Sequence, residues 1–244
     1  MRALSDSELL SVWEQGIGLP PVKRALALLA GSCSEMPLDE LAKLSIGQRD
    51  SLLFRLRECT FGPQMVCLAT CPVCGERLEL TFNVGDILAA PEVGPDEDLE
   101  VVVSGYALRF RLPNSLDLVA IAGSENTESA RDLLLNRCML AILHKGEQIT
   151  VDRLPTEVVN AVMELMEKAD PQADVRLDLS CPACAHRWEA AFDIVQFFWS
   201  EIESWARRIL FEVHLLARAY GWCEANILAM SPKRRQIYLE MASG

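Results

Sequence analysis

The pattern Cys-Pro-x-Cys-x-x-Arg-(Leu/Trp)-Glu occurs twice, at Cys71 to Glu79 and at Cys181 to Glu189, and the copies align without a gap at a constant spacing of 110 positions. Pro72 and Pro182, Arg77 and Arg187, Glu79 and Glu189, and Phe82 and Phe192 keep the same spacing. The chain therefore reads as a duplicated unit. A Cys-x-x-Cys turn points two sulfurs at one centre, and a tetrahedral structural zinc takes four such ligands, so each copy carries half of a site. The expected ligands are Cys71, Cys74, Cys181 and Cys184, with structural zinc as the cofactor.

A zinc ribbon normally draws its two knuckles from closer in sequence than these. Duplication offers a physical solution: two similar hairpins related by a pseudo-twofold place their tips together and share one ion. Separate sites completed by groups such as His186, or no metal at all, are the alternatives. A redox reading of Cys-x-x-Cys calls for a low-pKa thiolate at a helix start. Here each pair falls between predicted strands and is doubled, which suits a structural ion better.

Half of the 244 residues are apolar, enough to bury a core in one large domain or two small ones without disulfides. Nine cysteines is an odd number, and Cys33, Cys59, Cys67, Cys138 and Cys223 follow no regular spacing. They read as small buried apolar residues rather than a disulfide framework. The net charge of −12 opposes sequence-independent binding to phosphate backbones, so no nucleic-acid partner is expected. No run of eighteen uncharged apolar residues appears and the N-terminus lacks a secretory stretch, so the expectation is a cytoplasmic protein with no membrane partner. Asp96-Glu97-Asp98, directly after Pro95, reads as a solvated loop.

Capping boxes at Ser5-Asp6-Ser7-Glu8 and Ser45-Ile46-Gly47-Gln48 predict helix starts. The first helix carries Leu9, Leu10 and Trp13 and ends at Gly16 and Gly18; Pro20-Pro21 opens a second through about Ala30; the one after Ser45 presents Leu52, Leu53 and Leu56. Beyond Gly62-Pro63 the period becomes two: Met65, Cys67 and Ala69 alternate with Val66, Leu68 and Thr70 up to the first knuckle, and Arg77 to Phe82 forms the return strand. The second copy repeats this order, with Val162, Met163 and Met166 on a helix, Val175, Leu177 and Leu179 on a strand, and a return strand at Arg187 to Phe192.

Between the copies, Pro91 to Pro95 reads as a linker and Leu99 to Leu112 as a hairpin turning at Ser104-Gly105, followed by helices near Ser115 to Ala122 and Glu128 to Leu143. Trp199, Ile202, Ala206, Ile209, Val213, Leu216 and Tyr220 then recur at three- and four-residue steps, a long amphipathic stripe stopped by Gly221 and read as core packing ahead of a partner groove. Ser231-Pro232 starts a final helix with Ile237, Tyr238 and Met241. The expected fold is α+β, a duplicated helix-strand-knuckle-strand unit with zinc-ribbon-like hairpins and a long C-terminal helix. Its divisions are 1–92 (N-terminal helices and first knuckle), 93–150 (inserted hairpin and short helices), 151–198 (second knuckle) and 199–244 (C-terminal helices).

Catalytic constellations are thin. The three histidines are His144, His186 and His214, and no phosphate loop, Gly-x-Ser-x-Gly elbow or His-Glu-x-x-His pair occurs. Arg77/Glu79 and Arg187/Glu189 read as paired charges on neighbouring strand positions. The expectation is a non-enzyme with no catalytic residues, no organic cofactor and no small-molecule substrate.

From Ser45 the chain reads Ser-Ile-Gly-Gln-Arg-Asp-Ser-Leu-Leu-Phe-Arg-Leu-Arg-Glu-Cys-Thr-Phe-Gly-Pro-Gln, then an apolar strand and Cys-Pro-Val-Cys. This resembles the baseplate hub proteins of T-even-type contractile phages, in which a helix holding a Leu-Arg pair leads through a short turn to a strand and a cysteine knuckle. Ala219-Tyr220-Gly221-Trp222, with Ile227 to Pro232 and Arg234-Arg235, is similar to the ending of bacterial proteins encoded with phage-tail-like contractile injection systems. The resemblance implies a baseplate component or assembly factor. Its partners would be other baseplate or tail proteins, and its location the bacterial cytoplasm during assembly and the assembled particle. A zinc-ribbon adaptor in a nucleic-acid transaction complex is the alternative.

Overall fold

The computed structural model describes residues 2–88 and 98–243. The Pro91 to Pro95 linker and the Asp96-Glu97 part of the acidic stretch lie outside the described residues.

Local chemistry sets the first helices. Ser5 and Glu8 form the expected capping box, with the Glu8 N–H donating to Ser5 Oγ (3.3 Å) and the Ser5 N–H to Glu8 Oε2 (2.9 Å). They open α1 (Asp6–Gly16). A proline at the first turn opens α2 (Pro21–Ser32), and a short α3 (Leu38–Lys43) follows that the sequence pattern did not reveal. Ser45 and Gln48 form the second capping box, at the head of α4 (Ile46–Phe61). The expected stripe is there: Leu53, Phe54 and Leu56 are fully buried while Leu52 is half-buried.

The first hairpin, β1 (Gln64–Thr70) with β2 (Arg77–Asn83), is antiparallel and followed by the short α5 (Val84–Ile87). The intervening region folds as β3 (Leu99–Val103), β4 (Tyr106–Phe110), α6 (Ser115–Ile121), α7 (Thr127–Cys138), β5 (Met139–His144) and β6 (Glu147–Gln148). Its four strands pair in sequence order as one antiparallel sheet. The hairpin turns at Ser104-Gly105 as the sequence predicts, both residues taking positive φ.

The helix expected from Glu128 to Leu143 stops at Cys138, because the residues after it pair with β4 and send Ile142 into the core. A short apolar run reads as helix or strand until a neighbouring strand claims it. Then come α8 (Thr156–Ala169) and the second hairpin, β7 (Arg176–Ser180) with β8 (Arg187–Ala191). The chain ends in α9 (Ile194–Tyr220), α10 (Glu224–Leu228) and α11 (Pro232–Ser243), with Gly221 in the left-handed region closing α9.

Two apolar cores result. The first joins α1, α2, α4, α9 and α10, with Met65 of β1 and Phe192 after β8 packed among them. The long C-terminal stripe lies here, and Trp199, Ile202, Ala206, Ile209, Val213 and Leu216 are buried as core. The second core places Leu108, Phe110 and Ile142 of the four-stranded sheet against Leu135 of α7 and Val158 and Val162 of α8. Met163, expected beside Val162, is exposed, as are Ile237 and Met241 of α11.

Buried charges tie the parts together. Arg57 of α4 donates to both oxygens of Glu201 on α9 (2.8 and 2.6 Å) and to the Gly62 carbonyl (2.7 Å), which fastens the turn into β1. Arg235 of α11 reaches Asp6 of α1 (2.7 Å) and Glu212 of α9 (3.1 Å). Asp117 sits between Arg111 and Arg137. Burial opposes its ionisation, but the two guanidinium groups and the Asn114 N–H hold its carboxyl below the usual range. The cores meet at the N-terminus of α4, where the Ile46 N–H donates to the Pro113 carbonyl and the Gly47 N–H to Asp170 Oδ2 (2.9 Å). A Cβ on Gly47 would stand 2.0 Å from Asp170 Oδ1, so the close approach requires glycine there.

Candidate metal centre

Strand alternation aims the hairpins. On β1, Met65, Cys67 and Ala69 turn inward while Val66, Leu68 and Thr70 face out; on β7, Leu177 and Leu179 turn inward. The registers agree at the tips, Thr70 pairing with Arg77 and Ser180 with Arg187, so each ladder delivers its cysteine at the same point.

Each knuckle then closes in the same way. The Cys71 N–H donates to the Glu76 carbonyl (2.8 Å) and the Gly75 N–H to the Cys71 carbonyl (3.0 Å); Cys181 to His186 and Ala185 to Cys181 repeat this at 2.9 Å each. The fifth residue of each turn must enter the left-handed region, and Gly75 (φ 74°) does so without the steric cost that Ala185 (φ 58°) carries.

The two tips meet. Cys71, Cys74, Cys181 and Cys184 place their sulfurs within 4.8 Å of one another, which brings together all four expected ligands from hairpins far apart in the chain. The approach from Cys71 to Cys184 is 3.7 Å and that from Cys74 to Cys181 is 3.5 Å, both between hairpins. Cys71 and Cys181 are 1% and 2% exposed, whereas Cys74 and Cys184 face solvent. Backbone N–H groups support the sulfurs: those of Val73 and Cys74 donate to Cys71, that of Glu76 to Cys74 and that of His186 to Cys184.

Burial works against ionising Cys71, but the donated N–H bonds and the neighbouring thiols outweigh it and bring Cys71 down to about 7. The Glu76 N–H favours the Cys74 thiolate, yet the sulfurs of Cys181 and Cys184 push that thiol up to about 12. Cys71 is drawn toward the thiolate while Cys74 and Cys184 resist it, since a sulfur that gives up its proton makes the next proton harder to remove nearby. A cation among the sulfurs removes that resistance, so this donor set could hold a metal ion.

His186 lies beside the second knuckle with its ring stacked parallel to that of Trp188 at 5.9 Å, and it is not among the four clustered ligands. His214 is exposed on α9. Glu189 reaches Arg176 across its hairpin (3.5 Å), where the sequence suggested Arg187. Of the five cysteines expected to be buried, only Cys138 is; Cys33 and Cys67 are half-buried, and Cys59 and Cys223 are exposed. Cys59 falls on the solvent side of α4 and Cys223 at the open start of α10, positions that apolar neighbours in sequence do not disclose. Burial pushes the Cys138 thiol up to about 11, consistent with an inert core residue.

The sequence missed a groove along the two hairpins. Cys67, Leu80, Leu177, Leu179, Phe192 and Phe197 line a groove of about 390 Å³ between the hairpins and the start of α9. The alternation of β1 was the available signal for Cys67. No helix among the described residues is long and apolar enough to cross a membrane.

Neither a curated protein nor a solved structure matches the chain. The family described as T4 bacteriophage base plate protein does match, over residues 21–199. That span holds α4, both knuckles and the four-stranded sheet, while the C-terminal stretch likened to injection-system proteins lies outside it. With well over half its length inside the match, the chain belongs to the T4-type phage baseplate protein family.

Proposed function

We propose that this chain is a non-enzymatic baseplate component or assembly factor whose two zinc-ribbon-like knuckles, copies of one ancestral unit, share a single structural zinc. The observation that carries the proposal is the meeting of four sulfurs from hairpin tips 110 positions apart, within a chain of the baseplate family. A tetrahedral zinc with bonds of about 2.3 Å separates its sulfurs by about 3.8 Å. The two cross-hairpin approaches of 3.7 and 3.5 Å suit that geometry. Cys71, Cys74, Cys181 and Cys184 are the ligands, and the N–H groups on three of them are the supporting second layer.

The ion's role is to clamp segments that local structure cannot join. Structural zinc supplies on the order of 10–16 kcal/mol in small finger peptides; with two apolar cores already formed, its net contribution here is smaller. The N-terminal helices with the first knuckle, the inserted sheet, the second knuckle and the C-terminal helices then act together for contact with other baseplate or tail proteins, in the bacterial cytoplasm during assembly and in the particle afterwards. Exposed Phe211 of α9 and Ile237 and Met241 of α11 support a partner surface at the C-terminal helices.

Metal analysis of protein purified without chelator tests the clamp: one zinc per chain is expected, and four free thiols with no metal end it. Gene deletion tests the role. Particles lacking a completed baseplate are expected, whereas normal particles with altered transcription or DNA handling reject it in favour of a nucleic-acid adaptor.

A further inference from the structure

We infer that the four-cysteine centre is a convertible clamp: an oxidant of the peroxide class pairs its sulfurs across the hairpins, Cys71 with Cys184 and Cys74 with Cys181, and the metal leaves while the hairpins stay joined. The inference rests on the shared metal site proposed above.

Three observations carry it. The sulfur–sulfur approaches of 3.7 and 3.5 Å both run between hairpins, so small movements suffice to bond them. Each pair also combines one solvent-facing sulfur, Cys74 or Cys184, with one buried sulfur, Cys181 or Cys71. The exposed member meets the oxidant and the buried one resolves it. Finally, Cys71 Sγ accepts the N–H groups of Val73 and Cys74 inside its own turn, and a bond to Cys74 would have to disrupt that arrangement.

The chemistry balances with hydrogen peroxide as the oxidant. The Cys74 sulfur, which a cation in the site would keep as thiolate, attacks one peroxide oxygen, the O–O bond breaks, hydroxide leaves and a sulfenic acid forms. The Cys181 thiolate attacks that sulfenic sulfur, an S–S bond forms and a second hydroxide leaves. Two sulfurs lose two electrons, and one peroxide with two protons from solvent becomes two waters. Cys184 and Cys71 repeat the sequence with a second peroxide. Disulfide sulfurs carry no charge to hold a divalent cation, so the ion is released.

The consequence is mechanical. Cross-hairpin bonds tie residues 113 and 107 positions apart, whereas bonds within the knuckles, 71–74 and 181–184, close only the turns and let the hairpins separate. The joint therefore persists when the protein passes from reducing to oxidising surroundings.

The test uses the full chain with its metal content measured beforehand. Hydrogen peroxide is added at two equivalents, released metal is followed with a chromogenic chelator, free thiols are alkylated, and the digest is mapped by mass spectrometry without reduction. Expected are release of the bound metal, peptides linking Cys71 to Cys184 and Cys74 to Cys181, and recovery of bound metal after dithiothreitol and zinc. In Cys184→Ser the link between Cys74 and Cys181 should persist. Bonds confined within knuckles, sulfinic acids, or four intact thiols overturn the inference even if one metal per chain was present. Cross-hairpin bonds in a chain that arrives without metal leave this pairing standing and remove the metal reading instead.

Discussion

Helices α4 and α8 begin at Ile46 and Thr156, the same 110 positions apart as the knuckles they lead to, yet they are buried in different cores. In α4 the inward face holds Leu53, Phe54 and Leu56, and Arg57 makes the buried pair with Glu201; the positions 110 further on in α8 are Met163, Glu164, Met166 and Glu167. Phe54 is fully buried and Glu164 is exposed. The hairpins diverge on their outer faces as well, Val66 and Leu68 of β1 standing where β7 carries Arg176 and Asp178. The knuckles, by contrast, agree in sequence, hydrogen bonds and register. Segments at matching places are alike where one geometry serves both and differ where each meets a different neighbour.

A fully buried residue of α4 and its exposed counterpart in α8 should respond most differently to truncation. Phe54→Ala removes a ring from the first core and should cost about 3–5 kcal/mol in urea denaturation, while Glu164→Ala at the matching place in α8 should stay within about 0.5 kcal/mol. Equal effects would mean the two helices carry equal loads after all. Cys71→Ser and Cys181→Ser should instead behave alike. Each removes one of the four proposed ligands, so each is expected to lose metal and several degrees of melting temperature, by metal analysis and thermal denaturation.

A third test concerns Asp50 of α4, whose counterpart in α8 is Asn160. Burial raises the Asp50 carboxyl to about 6 against the pull of Arg49, with Asp193 and Asp170 adding to the rise. A carboxyl raised in the folded state favours the protonated form. Its contribution is therefore complete below about pH 4 and lost as pH climbs through about 6. Asp50→Asn should flatten that fall, by on the order of 2 kcal/mol between pH 4.5 and 7.5 in denaturant titrations.

Ala185→Gly, which gives the second knuckle the residue of the first, should stabilise by about 1 kcal/mol by relieving the left-handed strain. The smallest effect is expected from Leu68→Asp, the residue of β7 placed on an outer face that is 60% exposed: within about 0.5 kcal/mol of the parent by the same denaturation.

Much of this was legible in the linear pattern. Ser5 with Glu8 and Ser45 with Gln48 mark helix starts because the capping partners sit three residues apart, within reach of one turn. The β1 alternation and the Cys-Pro-x-Cys turns are equally local. Other features depend on neighbours that the linear pattern does not show. Met139 to His144 became a strand because β4 lay beside it; Cys59 and Cys223 stayed exposed because no element covered them; and Arg235 was buried because Asp6 and Glu212 came from distant helices to meet it.

The amino-acid order alone determined two matching knuckles, the caps that begin the helices and a long apolar stripe near the end, since each depends on residues within a turn or two of one another. The convergence of the four sulfurs, the packing of α8 on the four-stranded sheet rather than on α9, and the reach of Asp170 across more than 120 positions to cap α4 come from long-range packing. Those outcomes depend on which surfaces remain to be covered once the local elements exist, a quantity that no short stretch of sequence contains.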